Sequence, residues 1–101
     1  EATKKEASVV RADYFLQQKD YKNALPALST GIDNSSNTTD RARMAFILGQ
    51  INMQQGNSAA ALEAFEMVKK YKPEFEMQMQ TEINIHRTTL IIISDTLKSE
   101  F

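Results

Sequence analysis

The side chains that could hold a metal or move a proton are few and scattered. His86 is the only histidine, and the chain has no cysteine. No cluster of carboxylates, histidines or cysteines surrounds His86 at metal-ligand or acid–base spacing. Asp33 and Asp40 flank a polar loop but match no calcium-loop pattern. Gly31, Gly49 and Gly56 lie too far apart to cradle a phosphate. Asn34-Ser35-Ser36 and Asn37-Thr38-Thr39 fit the acceptor pattern for N-glycans. Such triplets arise often by chance, and this one sits in a run of turn formers, Asp33 to Thr39, so the turn reading is preferred. No nucleophile has a visible activating partner. The residues therefore predict a non-enzymatic chain with no catalytic, cofactor or metal site.

What is left is surface for binding, and helices must position it. Between Arg41 and Pro73 the pattern reads as two helices joined by one tight turn. Ala45, Leu48, Gly49 and Asn52 step along one face, Gly56-Asn57 breaks the run, and Ala61, Leu62, Phe65 and Val68 mark a second face that Pro73 ends. Neither helix is long enough to be secure alone, so each must bury its stripe on the other. Gly49 and Ala61 are small enough for a close approach, with Leu48 and Phe65 filling the space beside it. Upstream, a helix is expected from Ala7, then a turn at Lys19-Asp20 in which Asp20 caps the next helix. That helix carries Tyr21, Ala24, Leu25, Ala27 and Leu28, with Pro26 past its first turn removing a backbone donor. Thr38, Thr39 or Asp40 is expected to cap the helix after the polar loop. Downstream of Pro73-Glu74, Phe75, Met79, Ile83, His86, Leu90, Ile93 and Leu97 follow at spacings of three and four. The β-branched run Leu90-Ile91-Ile92-Ile93 continues that stripe, which favours helix over strand.

Composition sets wide bounds. A chain of 101 residues is one domain by prior, burying somewhat under ~70% of its extended surface. A net charge of −1 offers no basic footprint for nucleic acid. No run reaches the roughly 18 apolar residues of a membrane span. The start at Glu1 rather than Met is expected of a mature product or an excised domain.

Leu48-Gly49, Gly56, Ala61, Phe65, Val68 and Pro73 resemble the tetratricopeptide repeat (TPR), a helix–turn–helix of about 34 residues. Ala45 and Asn52 stand where the family usually has aromatics, and Ser58 where it has Tyr. The segment 4–37 is a weaker copy: Ala12, Tyr21, Ala24 and Leu28 precede Gly49, Ser58, Ala61 and Phe65 by 37 residues each. The excess over the family period fits the polar loop. The resemblance implies an all-α fold of about five helices: antiparallel helix–turn–helix units in a right-handed superhelix. It implies further that residues 1–101 form a single domain, with a degenerate repeat at 4–37, a clear repeat at 42–75, and a capping helix or start of a third repeat at 74–98.

The resemblance also implies a site. In that family the first helix of each pair lines a concave groove. Carried over residue by residue, the groove holds Arg43, Phe46, Gln50, Met53 and Gln54. Val9, Asp13, Leu16 and Gln17 come from the segment before it, and Met77, Gln80, Asn84 and Arg87 from the last helix. Such a groove is polar amide with apolar spots, suited to an extended peptide. Phe46 and Gln50 stand where carboxylate-gripping relatives have Lys and Asn, which argues against a chaperone-tail ligand. Met44, Met53, Met67, Met77 and Met79 read as core filling, with Met53 the exception. The expected partner is a protein or peptide, not nucleic acid. Weak self-association is also expected through Leu90, Ile92 and Leu97, which a longer protein would cover with its next helix.

Residues 38–87 carry a further likeness. Arg41 to Gln50, Tyr71 to Met77 and Glu82 to Ile85 are similar to a subgroup of repeat-bearing outer-membrane lipoproteins of bacterial envelopes. Some of these serve gliding motility and type nine secretion. Phe75-Glu76-Met77 after Pro73 matches an aromatic-Glu-Met in those relatives. The likeness implies a scaffold on the periplasmic side of an outer membrane; a cytoplasmic setting is the alternative. A spacer or assembly segment working through the last helix, and the repeat region of an enzyme such as a glycosyltransferase, stay open beside it.

Overall fold

Short polar links cut the chain into helices at the places where backbone groups need side-chain help. The computed structural model describes residues 17–100. They form α1 (Tyr21–Asn34), α2 (Thr38–Gln54), α3 (Ser58–Lys70) and α4 (Phe75–Glu100). The helix expected from Ala7, with Val9, Asp13 and Leu16, lies outside the described residues. Four of the about five expected helices are thus described. Each packs on the next in sequence, and no strand occurs among the described residues. Leu90 to Ile93 is helix, as the periodicity indicated.

The caps follow the turn chemistry. Asp20 caps α1, its Oδ1 accepting the Asn23 backbone N–H at 3.4 Å and its Oδ2 the Asn23 amide at 2.7 Å. The cap of α2 is Asn37, one residue before the three expected. Its Oδ1 accepts the Thr39 and Asp40 backbone N–H groups at 2.9 and 3.2 Å. Asp40 then lies in the first turn, where a carboxylate favours the positive end of the helix. Asn37 is thus engaged in the turn role preferred over glycan acceptance. Arg41 ties the loop to α2 by donating from Nε to the Ser35 carbonyl. Gly56 takes φ +80° in the α2–α3 turn, a conformation that suits glycine.

The core is small residues with a few large ones set among them. Ala24, Ala27, Leu28, Ile32, Ala42, Met44, Ala45, Ile51 and Val68 form one buried cluster. Phe65 is fully buried beside it. A Cβ on Gly49 would lie 2.6 Å from the Phe65 ring, well inside van der Waals contact. The missing methyl of Gly49 therefore admits an aromatic ring rather than a neighbouring backbone, which refines the close approach expected there. Phe46 meets the same ring edge-on, centroids 5.8 Å apart. Ala24 and Leu28 of α1 are as deeply buried as Ala61 and Phe65 of α3, their counterparts 37 residues on. Asn52 is buried and donates from Nδ2 to the Leu48 carbonyl at 3.0 Å.

The last helix docks with an unexpected face. Its deepest residues are Thr81, Asn84 and Thr88. The hydroxyls of Thr81 and Thr88 donate to the Met77 and Asn84 carbonyls one turn back, at 2.7 and 2.6 Å. That local bond satisfies each hydroxyl and leaves a methyl and a small profile for close packing. The apolar stripe from Phe75 to Leu97 faces outward instead: Phe75, Met79, Ile83, Leu90, Ile93 and Leu97 are all exposed. Of the three residues expected to mediate self-association, Leu90 and Leu97 are exposed, whereas Ile92 is half-buried on the docked side.

Candidate functional site

Three helices place side chains around one open cleft. From the first turn of α1 comes Tyr21. One face of α2 supplies Ile47, Gln50, Ile51, Met53 and Gln54, and α4 contributes Asn84 and Arg87. The cleft has a volume of about 560 Å³. Its α2 residues lie on adjacent turns because three- and four-residue steps share a helix face. Asn84 and Arg87 reach the cleft from α4 at the same three-residue step. Asn84 sits at the edge of the docked face, next to the buried Thr81 and Thr88, so its placement is tied to the packing of α4 on the body.

The cleft is lined by amide, guanidinium and apolar side chains. Gln50, Gln54 and Asn84 each offer an amide with both donors and an acceptor. Among the described residues, Arg87 is the only charged group lining it. Ile47, Ile51, Met53 and Tyr21 give apolar area. Nothing in this set can act as a nucleophile–base pair. A peptide backbone has alternating donors and acceptors, which amides can match, and its side chains can rest on Met53 and the isoleucines.

The carried-over groove residues do not all come together. Gln50, Met53, Gln54, Asn84 and Arg87 come together in this cleft. Arg43 and Met77 line a smaller cavity of about 250 Å³, beside Thr38, Thr39, Tyr71 and Pro73. Arg43 there approaches Asp40 at 3.7 Å, both exposed. Phe46 is half-buried and turned to Phe65. Gln17 is exposed and lines neither, and Gln80 is exposed on α4. Asp13 lies outside the described residues. Of the methionines, Met44 is core, Met67 and Met77 are half-buried, Met79 is exposed, and Met53 lines the cleft. Tyr21, Ile47 and Ile51 were not among the expected groove residues. Ile47 and Ile51 share the α2 stripe of Gln50 and Gln54, a signal available in the spacing. Tyr21 is brought in by the α1–α2 packing and has none.

His86 is exposed, and among the described residues no group of three or more His, Cys, Asp or Glu could hold a metal ion. Among them too, no helix is long and apolar enough to cross a membrane. No family model, curated protein or solved structure matches the chain.

Proposed function

We propose that this protein is a non-catalytic interaction scaffold of the helical-repeat type, taking a protein or peptide segment in the cleft between α2 and α4. The observation that carries the reading is the convergence of Gln50, Met53, Gln54, Asn84 and Arg87 from two helices on one open cleft. The equal burial of Ala24 and Ala61, and of Leu28 and Phe65, supports a repeated helix pair and hence the TPR superhelix. The cell-envelope setting is part of the proposal on the strength of the residue 38–87 likeness alone.

The test is capture by the tagged domain from detergent-solubilised cells, run beside a variant with Gln50, Met53 and Gln54 all changed to Ala. These three lie on α2, and none is buried. The expected result is a discrete protein, identified by mass spectrometry, that is lost with the variant while helical circular dichroism is unchanged. Capture that survives the variant sinks the cleft as the working surface.

A further inference from the structure

The outward stripe of α4 has a stricter pattern than amphipathicity requires. Met79, Ile83, His86, Leu90, Ile93 and Leu97 are separated by four, three, four, three and four residues. That is the a/d seam of a coiled coil over nearly three heptads, with Ile83, Leu90 and Leu97 at a and Met79, His86 and Ile93 at d. The fully buried Thr81 and Thr88 fall at f, the position farthest from the seam. The helical body therefore sits on the back of α4 and leaves the seam open. Leu90, Ile93 and Leu97 border a shallow recess of about 390 Å³ whose surface is mainly apolar.

We propose that this seam pairs with the same seam of a second copy, parallel and in register, as a two-stranded coiled coil with the two bodies outside. Three observations select that occupant. First, the seam is self-complementary, so a copy presents the matching knobs and holes. Second, the flanks carry opposite charges at the spacing that parallel strands bring together. Glu82 is at g and Arg87 is at the following e, so each Glu82 faces Arg87 of the other copy, twice by symmetry. An antiparallel pair in the register that fills the seam, with 79 opposite 97, sets Arg87 against Arg87 instead. Third, the body reaches each flank of α4 without covering it, since Glu82 and Arg87 both stay exposed. Lys69 of α3 holds Glu82 at 3.2 Å on one side, and the cleft takes Arg87 on the other. Leu at a with Ile at d by itself favours more than two strands. A larger bundle would have to bury those charged flanks, so the pair is the form that fits. Because the body already holds α4 as a helix as far as Ile92, pairing has only the last two turns left to order.

His86 is the one polar member of the seam. In register, it meets His86 of the second copy, and a one-heptad slip sets it against aliphatic residues. It marks the register at the expense of affinity, as polar seam residues do.

Sedimentation velocity from about 5 µM to about 1 mM spans the affinity expected of so short a seam. Wild type is expected to move from monomer to dimer, with Leu90→Lys monomeric throughout and His86→Leu dimerising at least ~10-fold more tightly. Both positions are exposed in the monomer, so circular dichroism should show each variant folded. Orientation is read from a spin label at Lys98→Cys, a clean single site in a chain without cysteine. Parallel strands hold two labels about 20 Å apart; the antiparallel register separates them by about 30 Å or more. A wild type that stays monomeric at the highest concentration, a tetramer, or the long label distance overturns the proposal. So does a His86→Leu variant that binds no better. The cleft variant of α2 should leave this equilibrium unchanged, which keeps the two readings separable.

Discussion

The α2–α3 hairpin and the α4 helix solve the burial problem in opposite ways. In the hairpin, size is spent inside: the Phe65 ring fills the space left by Gly49 and is closed off by Phe46. In α4, size is left outside: Thr81 and Thr88 dock, while Ile83, Leu90 and Leu97 face solvent. The contrast separates two uses of apolar side chains. Large groups sealed between helices hold the fold. Large groups in a regular seam on an exposed face contribute little to the monomer and are available for assembly.

That contrast can be broken first at Phe65. Phe65→Ala is expected to destabilise the fold by about 3–5 kcal/mol in urea unfolding, through lost transfer energy and a cavity that helices cannot easily close. If the loss is under about 1 kcal/mol, the ring is not the keystone of the hairpin. A smaller effect is expected at its neighbour. Gly49→Ala gains helix propensity of about 1 kcal/mol but drives a methyl into the ring, for a net loss of about 1–2 kcal/mol. A Phe65→Leu background should remove most of that loss, and a double-mutant cycle without coupling would contradict the contact.

On α4 the docked threonines sharpen the comparison. Thr88→Ser deletes a buried methyl and should cost about 1 kcal/mol, whereas Thr88→Val keeps the shape and should stay within about 1 kcal/mol of wild type. The reverse order would mean that the hydroxyl, not the methyl, is what the docked face uses. The smallest effect is expected at an exposed residue of the seam. Leu90→Gln should change monomer stability by no more than about 0.5 kcal/mol, measured well below the dimerisation range.

Much of the hairpin was legible in the sequence because its signals are local. Gly56 and Asn57 mark the turn, Pro73 follows the end of α3, and Gly49 announces a close approach. The cap at Asn37 was displaced by one residue because several adjacent residues, Asn37 to Asp40, can all accept backbone N–H groups. The docked face of α4 was not legible. Periodicity counts apolar residues, and the face that packs is built of threonines whose hydroxyls are satisfied within their own helix. The cleft was half legible. Helical spacing allows Gln50, Met53 and Gln54 to share a face of α2, but Ile47 and Ile51 on that face were passed over, Tyr21 enters through tertiary packing, and Phe46 turns inward because Phe65 offers it a ring edge.

Beyond Ile92, every described side chain of α4 is exposed through Ser99. About 12 Å of helix, residues 93 to 100, thus extends past the body. None of the other described helices shields those last two turns, so their amide protons are set to open many times for each global unfolding event. This makes the end of α4 a built-in clock. Hydrogen exchange at Ile93 to Leu97 should run fast in dilute solution and slow as the chain is concentrated, while exchange around Phe65 keeps the same pace in both. One isotope-labelling series would then report the occupancy of the seam and the integrity of the core on separate dials.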